Sequence, residues 1–149
     1  MSIIETPELW ERLVPKIQEI KGTVMVIGAP DSGKTTLTRF LVRELFNRGE
    51  AVAYIDGDMG QSILGPPTTQ GMAVFDSTFA DLEKARPRGV YFIGSTSPRR
   101  HGLETVVGLK RLLERSQVDR DRIAILDTTG YVTGEDALEL KYQKMELDL

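Results

Sequence analysis

The sequence predicts an α/β fold: a mostly parallel sheet with helices on both faces, preceded by an N-terminal helix. Three features of its 149 residues carry that prediction. Short apolar, β-branched runs recur along the chain, and each ends at Gly or Asp. Amphipathic helical spacing occupies most of the gaps between them, and a glycine-bearing loop joins the first run directly to a helix. Strands separated by helical connections pair in parallel through right-handed crossovers, which leave helices on both faces.

Thr6-Pro7-Glu8 signals a helix start, with Thr able to cap free amides and Pro fixing φ where its missing N–H costs nothing. Leu9, Trp10, Leu13, Ile17 and Ile20 then follow at helical spacing, with Pro15 expected to bend or split the helix. Residues 1–21 thus form an N-terminal helical segment ahead of a core beginning at residue 22. Thr23 to Ile27 is a nearly continuous apolar run ending in Gly28, expected as the central strand with both faces buried. From Lys34 to Arg48, Leu37, Phe40, Leu41 and Leu45 share a helix face, and Gly49 stops it.

Further strands are expected at Ala51–Ile55, ending at Asp56, and at Val90–Ile93, ending at Gly94. A helix over Leu103–Arg115 then precedes a strand at Ile123–Leu126, ending at Asp127. Between Met59 and Arg86 the pattern is irregular and contains Pro66-Pro67, so a loop and a short helix are expected there. Leu138, Tyr142, Met145 and Leu149 keep helical register. A strand would follow in such a fold, so residues 22–149 are read as a core truncated at its C-terminus.

Composition excludes several classes of function. Lys and Arg number 19 against 22 Asp and Glu, a net charge of −3, so no global basic field exists to hold nucleic acid. The chain has no Cys and one His, which removes disulfide frameworks, cysteine zinc sites and thiol catalysis. The N-terminus lacks a basic start followed by an apolar core, and no apolar run approaches a membrane span. The protein is read as cytoplasmic, with no membrane partner.

Gly28-Ala29-Pro30-Asp31-Ser32-Gly33-Lys34-Thr35 matches the Walker A pattern between a predicted strand and a predicted helix, so the fold is read as a P-loop NTPase. The glycines allow backbone N–H groups to surround phosphate oxygens, and the positive end of the helix points at the same anion. Gly28, Asp31, Ser32, Gly33, Lys34, Thr35 and Thr36 are therefore candidates for binding ATP or GTP. Lys34 is suited to the β- and γ-phosphates, and the Thr35 hydroxyl to Mg²⁺. The second strand ends in Asp56-Gly57-Asp58-Met59-Gly60-Gln61, two carboxylates at the end of the sheet where ligands bind, able to hold Mg²⁺ or accept a proton. The fourth ends in Asp127-Thr128-Thr129-Gly130-Tyr131. Asp56, Asp58 and Asp127 all remain candidates for the Walker B acid.

Taken together, these segments resemble the ATPase core of the polynucleotide 5′-hydroxyl kinase family, which includes the RNA kinases of pre-mRNA cleavage and ribosomal RNA processing and their archaeal and bacterial relatives. The resemblance spans about residues 22 to 140. It rests on the phosphate loop, the Asp-x-Asp-x-Gly-Gln segment at Asp56–Gln61 and a Thr-x-Gly-aromatic clasp at Thr128–Tyr131. The clasp aromatic here is Tyr131, where the family often has Trp. Gly94-Ser95-Thr96-Ser97-Pro98 is similar to a turn that follows the family's third strand.

The resemblance implies a kinase that uses ATP or GTP with Mg²⁺ and acts on an RNA or DNA 5′ end. Lys34 and Thr35 would bind nucleotide and metal. Asp58 would be the base or hold a metal-bound water, with Asp56 behind it, and Gln61 would orient the γ-phosphate or water. Thr128, Thr129 and Gly130 would clasp the phosphates, and Thr35, Asp58 and Asp127 make up the metal set. Lid arginines of the family would lie beyond Leu149. Arg99-Arg100-His101 is a further basic cluster, placed to meet a nucleic-acid phosphate or to remain a solvated loop. The competing reading is a GTPase-like switch or NTP-hydrolysing partner-binding module, because Asp127-Thr128-Thr129-Gly130 also fits an Asp-x-x-Gly loop that senses γ-phosphate. No guanine-reading Asn/Thr-Lys-x-Asp segment occurs in the sequence.

Overall fold

In the computed structural model, which describes residues 6–77, 81–116, 121–134, 136–138 and 140, the first helix is α1 (Glu8–Ile20), running unbroken through Pro15. The expected split at Pro15 does not occur. Nor does Thr6 cap the helix: Pro7 holds the cap position without a side-chain bond, and its carbonyl accepts from the Trp10 N–H at 2.8 Å. Strand β1 (Thr23–Val26) leads through the glycine loop into α2 (Lys34–Asn47). That helix ends as its sequence implies, with Gly49 at φ 86° and the Glu50 N–H reaching back to the Leu45 carbonyl at 3.1 Å.

The remaining elements are β2 (Val52–Gly57), β3 (Thr69–Phe75), the 3₁₀ turn η1 (Leu82–Lys84), β4 (Gly89–Phe92), α3 (Gly102–Ser116) and β5 (Ile123–Thr128). Residues 137, 138 and 140 are helical, and the rest of the expected final helix lies outside the described residues. No helix among the described residues is long and apolar enough to cross a membrane.

The strand order is β1-β5-β2-β3-β4. β5 pairs in parallel with both β1 and β2, whereas β3 is antiparallel to β2 and to β4, so β3 alone runs against the other four. Two expectations are corrected here. The segment between Met59 and Arg86 contains a buried strand as well as the loop and short helix, and among the described residues Thr23–Val26 has β5 as its one strand neighbour while β2 holds the centre. β3 reads poorly because Gln70 and Gly71 interrupt its apolar alternation. Its strand conformation comes from neighbours on both sides, a tertiary override of propensity. Gly71 is needed where Leu64 crosses the strand, since a Cβ would come 2.6 Å from the Leu64 Cβ. The apolar run at β1 reports cover on its faces, and says nothing about how many strands flank it.

Alternation along the central strands feeds two cores. Val52, Tyr54, Ile123 and Ile125 face α1 and α2, packing with Val14, Ile17, Phe40, Leu41 and Leu45. Ala53, Ile55, Ala124 and Leu126 face α3, packing with Leu109, Leu112 and Leu113. Trp10 of α1 meets Phe40 of α2 with ring centroids 5.8 Å apart. The helices thus cover both faces, as the alternating pattern predicts.

α3 approaches the sheet closely at Gly108, where a Cβ would collide with the buried Gln70 amide oxygen and lie 2.6 Å from the Tyr91 ring. Gly108→Ala is therefore expected to destabilise the fold by about 1–3 kcal/mol through overpacking. Alanine's helix preference alone would stabilise by about 1 kcal/mol. Urea denaturation of the two proteins decides the sign.

Candidate functional site

The loop from Gly28 to Gly33 turns the chain from β1 into α2. Gly33 sits at φ 87°, a left-handed conformation that L side chains resist, so glycine is required where the loop enters the helix. No side chain caps α2, and its first turn carries no acidic residue. The first-turn N–H groups and the positive helix end are therefore left to an anion from outside the helix. Lys34 folds back over the loop, donating from Nζ to the Ala29 carbonyl at 2.7 Å.

The three candidate carboxylates have different surroundings. Asp56, 1% exposed, accepts from the Asp58 N–H at 3.2 Å on Oδ1 and from Ser62 Oγ, the Ile63 N–H and the Leu64 N–H at 3.1, 2.5 and 3.1 Å on Oδ2. Burial pushes its carboxyl up, against those hydrogen bonds. All of its acceptor capacity goes into shaping the turn that presents Asp58. Asp58 is half-buried on the cavity wall, with Oδ1 accepting from the N–H groups of Gly60 and Gln61 at 3.0 and 3.2 Å.

Asp127 lies opposite Asp56 in the parallel β2–β5 register and is 2% exposed. Its Oδ2 accepts from Thr35 Oγ1 at 3.1 Å and from the Tyr54 hydroxyl at 3.4 Å. Its Oδ1 is buried without a hydrogen-bond partner. Burial, opposed by the Thr35 hydrogen bond and reinforced by the negative charge of Asp56, pushes the Asp127 carboxyl up to about 6. Burial first, and then the charges of Asp56 and Asp127, holds the Tyr54 hydroxyl well above its ordinary range. An orphaned carboxylate oxygen beside a Thr hydroxyl fits a hard divalent cation. Among the described residues no group of three or more His, Asp or Glu could hold a metal ion. Phosphate oxygens and water would have to complete the coordination.

These elements enclose a cavity of about 790 Å³. Of the residues singled out from sequence, Asp31, Ser32, Gly33, Lys34, Thr35, Thr36, Asp58, Gln61, Thr129 and Gly130 line it, and Tyr131 joins them. Gly28, Asp56, Asp127 and Thr128 are not among the residues that line it. Thr128 departs from the expected clasp role, because its buried hydroxyl donates to the Val26 carbonyl at 2.8 Å and ties β5 to β1. Gly130 abuts the phosphate loop, where a Cβ would stand 2.8 Å from the Pro30 nitrogen. The Tyr131 hydroxyl donates to Asp136, fixing the ring at the mouth.

Thr96, Ser97 and Pro98 line the cavity, but Arg99, Arg100 and His101 do not; His101 faces Glu104 at 3.9 Å. Sequence reasoning missed Arg39 and Ile63. For Arg39 a signal existed, since it stands one helical turn beyond Thr36 and shares its face.

The chain is 40% identical over 144 residues to a polyribonucleotide 5′-hydroxyl-kinase of Pyrococcus horikoshii, covering 95% of this chain and 39% of that protein. It is 42% identical over 135 residues to the protein of the same description from Pyrococcus abyssi, covering 89% and 38%. The chain thus spans about two-fifths of the length of the curated relatives it matches. In fold it resembles a solved Clp1p–Pcf11p complex, with a TM-score of 0.73 at 22% identity over 96% of this chain and 40% of that one. A family model described as the mRNA cleavage and polyadenylation factor CLP1 P-loop matches residues 28–147, from the first glycine of the loop to beyond the clasp, and the chain belongs to that family.

Proposed function

We propose that this chain is the nucleotide-binding and catalytic core of a Mg²⁺-dependent polynucleotide 5′-hydroxyl kinase that uses ATP or GTP. The observation that carries the reading is a single cavity walled by both the phosphate loop and Asp58. Phosphoryl transfer needs both parts, the loop to hold the phosphates and a base facing the same space to take the proton of the attacking oxygen. The curated relatives are described as polyribonucleotide 5′-hydroxyl-kinases, which favours RNA as acceptor.

In this reading the loop N–H groups and Lys34, released from the Ala29 carbonyl, hold the β- and γ-phosphates. Thr36, Thr129 and Gly130 close around the nucleotide, with Asp31 and Ser32 shaping the rim. Thr35 and Asp127 hold Mg²⁺, which supplies charge neutralisation on the phosphates when bound. The assignment makes Asp127 the Walker B acid, Asp58 the base and Asp56 a buried support for the turn. Asp58 takes the proton of the acceptor 5′-hydroxyl as its oxygen forms a bond to the γ-phosphorus. The bond to the β–γ bridging oxygen breaks, and the nucleoside diphosphate leaves with that electron pair. Gln61, beside Asp58, orients the transferring group.

The test incubates the chain with Mg²⁺, γ-labelled ATP or GTP and a 5′-hydroxyl RNA oligonucleotide, following label into RNA and into free phosphate. Label entering RNA, and lost by at least about 10²-fold in Lys34→Ala, is expected. Label appearing only as free phosphate would replace this reading with the NTP-hydrolysing switch.

A further inference from the structure

Two cations line the cavity among the described residues, Lys34 and Arg39. Lys34 belongs to the phosphate loop. Arg39 stands five residues further along α2, about 7.5 Å along the helix axis, beyond the first-turn N–H groups that would cradle a nucleotide. Its guanidinium donates to Glu83 of η1 at 2.6 Å, and the two side chains are 45% and 67% exposed.

The surroundings of Arg39 give the cavity a direction. Ile63 and Gln61, on the loop after β2, line the cavity, and Glu83 follows β3, so Arg39 is paired toward the β2–β3 side. On the other side, over β1 and β5, Gly130 abuts Pro30 of the phosphate loop. A phosphoryl acceptor must bring its hydroxyl to Asp58, which lies on the β2–β3 loop. The rest of the acceptor therefore runs over the side that carries Arg39. A strand with a 5′-hydroxyl presents its first negative charge at the linkage to its second nucleotide. A guanidinium fork matches that phosphate, and an exposed ion pair such as Arg39–Glu83 yields to it readily.

We infer that Arg39 binds the first internucleotide phosphate of the acceptor strand, with Glu83 holding the guanidinium at the cavity edge until the strand arrives. The direction assigned to the acceptor rests on the kinase reading above. Arg39 is thus a substrate-positioning residue, and Glu83 competes with the substrate for it.

The experiment is a cycle between protein and RNA, using wild type, Arg39→Ala, Arg39→Lys and Glu83→Gln. Each is given a 5′-hydroxyl oligoribonucleotide, either unmodified or with a neutral methylphosphonate at the first linkage. Arg39→Ala is expected to raise the RNA KM by about tenfold with the nucleotide KM unchanged, and Arg39→Lys to recover part of the loss. The methylphosphonate should cost wild type a similar factor and cost Arg39→Ala nothing further. Glu83→Gln should lower the RNA KM, by no more than about fivefold. A rise in the nucleotide KM instead, or losses that multiply between Arg39→Ala and the methylphosphonate, would overturn the inference.

If no protein labels RNA, the kinase reading fails, and the same cycle is read as Kd by fluorescence anisotropy of labelled RNA in the presence of a non-hydrolysable ATP analogue. Coupling between Arg39 and the first linkage would then sustain the inference separately. Absence of RNA binding, or binding without that coupling, would refute it.

Discussion

Asp58→Asn is expected to lower kcat for RNA phosphorylation by about 10²- to 10⁴-fold, the range by which a positioned general base accelerates proton transfer. The substitution isolates the base because of how the turn is built. Asp58 Oδ1 accepts from the N–H groups of Gly60 and Gln61, and an Asn amide oxygen accepts the same two bonds. The turn is fixed from beneath by Asp56, which binds four donors of its own. Local geometry should therefore survive while proton acceptance is lost, so the nucleotide KM should stay within about twofold. Steady-state kinetics with ATP and RNA varied separately gives both quantities. An equal loss in nucleotide affinity would mean that Asp58 holds the metal instead.

Asp127→Asn is expected to have opposite effects on stability and on binding. With its carboxyl raised from 3.8 to about 6 chiefly by burial, the folded protein binds more protons than the unfolded chain between those values. The contribution of Asp127 to stability therefore falls as pH rises from about 4 to about 6, then levels off. The penalty at neutral pH is about 3 kcal/mol for the ligand-free protein. Asn keeps an acceptor for Thr35 and Tyr54 without a buried charge. The variant should match wild type near pH 4 and exceed it by up to that amount at pH 7.5, as measured by denaturant unfolding. An unchanged difference between the two pH values would refute this.

Ligand binding should move the other way. Loss of the charge beside Thr35 is expected to weaken Mg²⁺-dependent nucleotide binding by about 10- to 100-fold. The variant's melting temperature should then respond less to Mg²⁺ and ATP than that of wild type. A protein that tolerates a buried carboxylate oxygen without a hydrogen-bond partner in its free state holds in reserve a site that a cation relieves.

Much of the site was legible because its chemistry depends on residues close in sequence. A loop that cradles phosphate needs glycine, lysine and threonine at fixed offsets between a strand and a helix, so Gly28–Thr36 reads directly. Asp58 was legible for a similar reason, standing at the end of an apolar strand where α/β folds open to ligands. Arg39 was missed because its role depends on what lies across the cavity, although its spacing from Thr36 placed it on the right helix face.

The alternation of strands and helices, the cover on both faces, the phosphate loop and the pool of three candidate acids are all readable along the chain. These follow from local backbone preference, from periodicity and from the spacing of side chains on a single element. Contacts between distant segments set the rest: among the described residues β1 pairs with β5 alone, β3 is an antiparallel strand and Thr128 braces β1. They also separated the acids, setting Asp127 against Thr35, Asp56 beneath its turn and Asp58 on the cavity wall. A carboxylate's role is fixed by the donors, charges and water around it, and those come from segments distant in the chain.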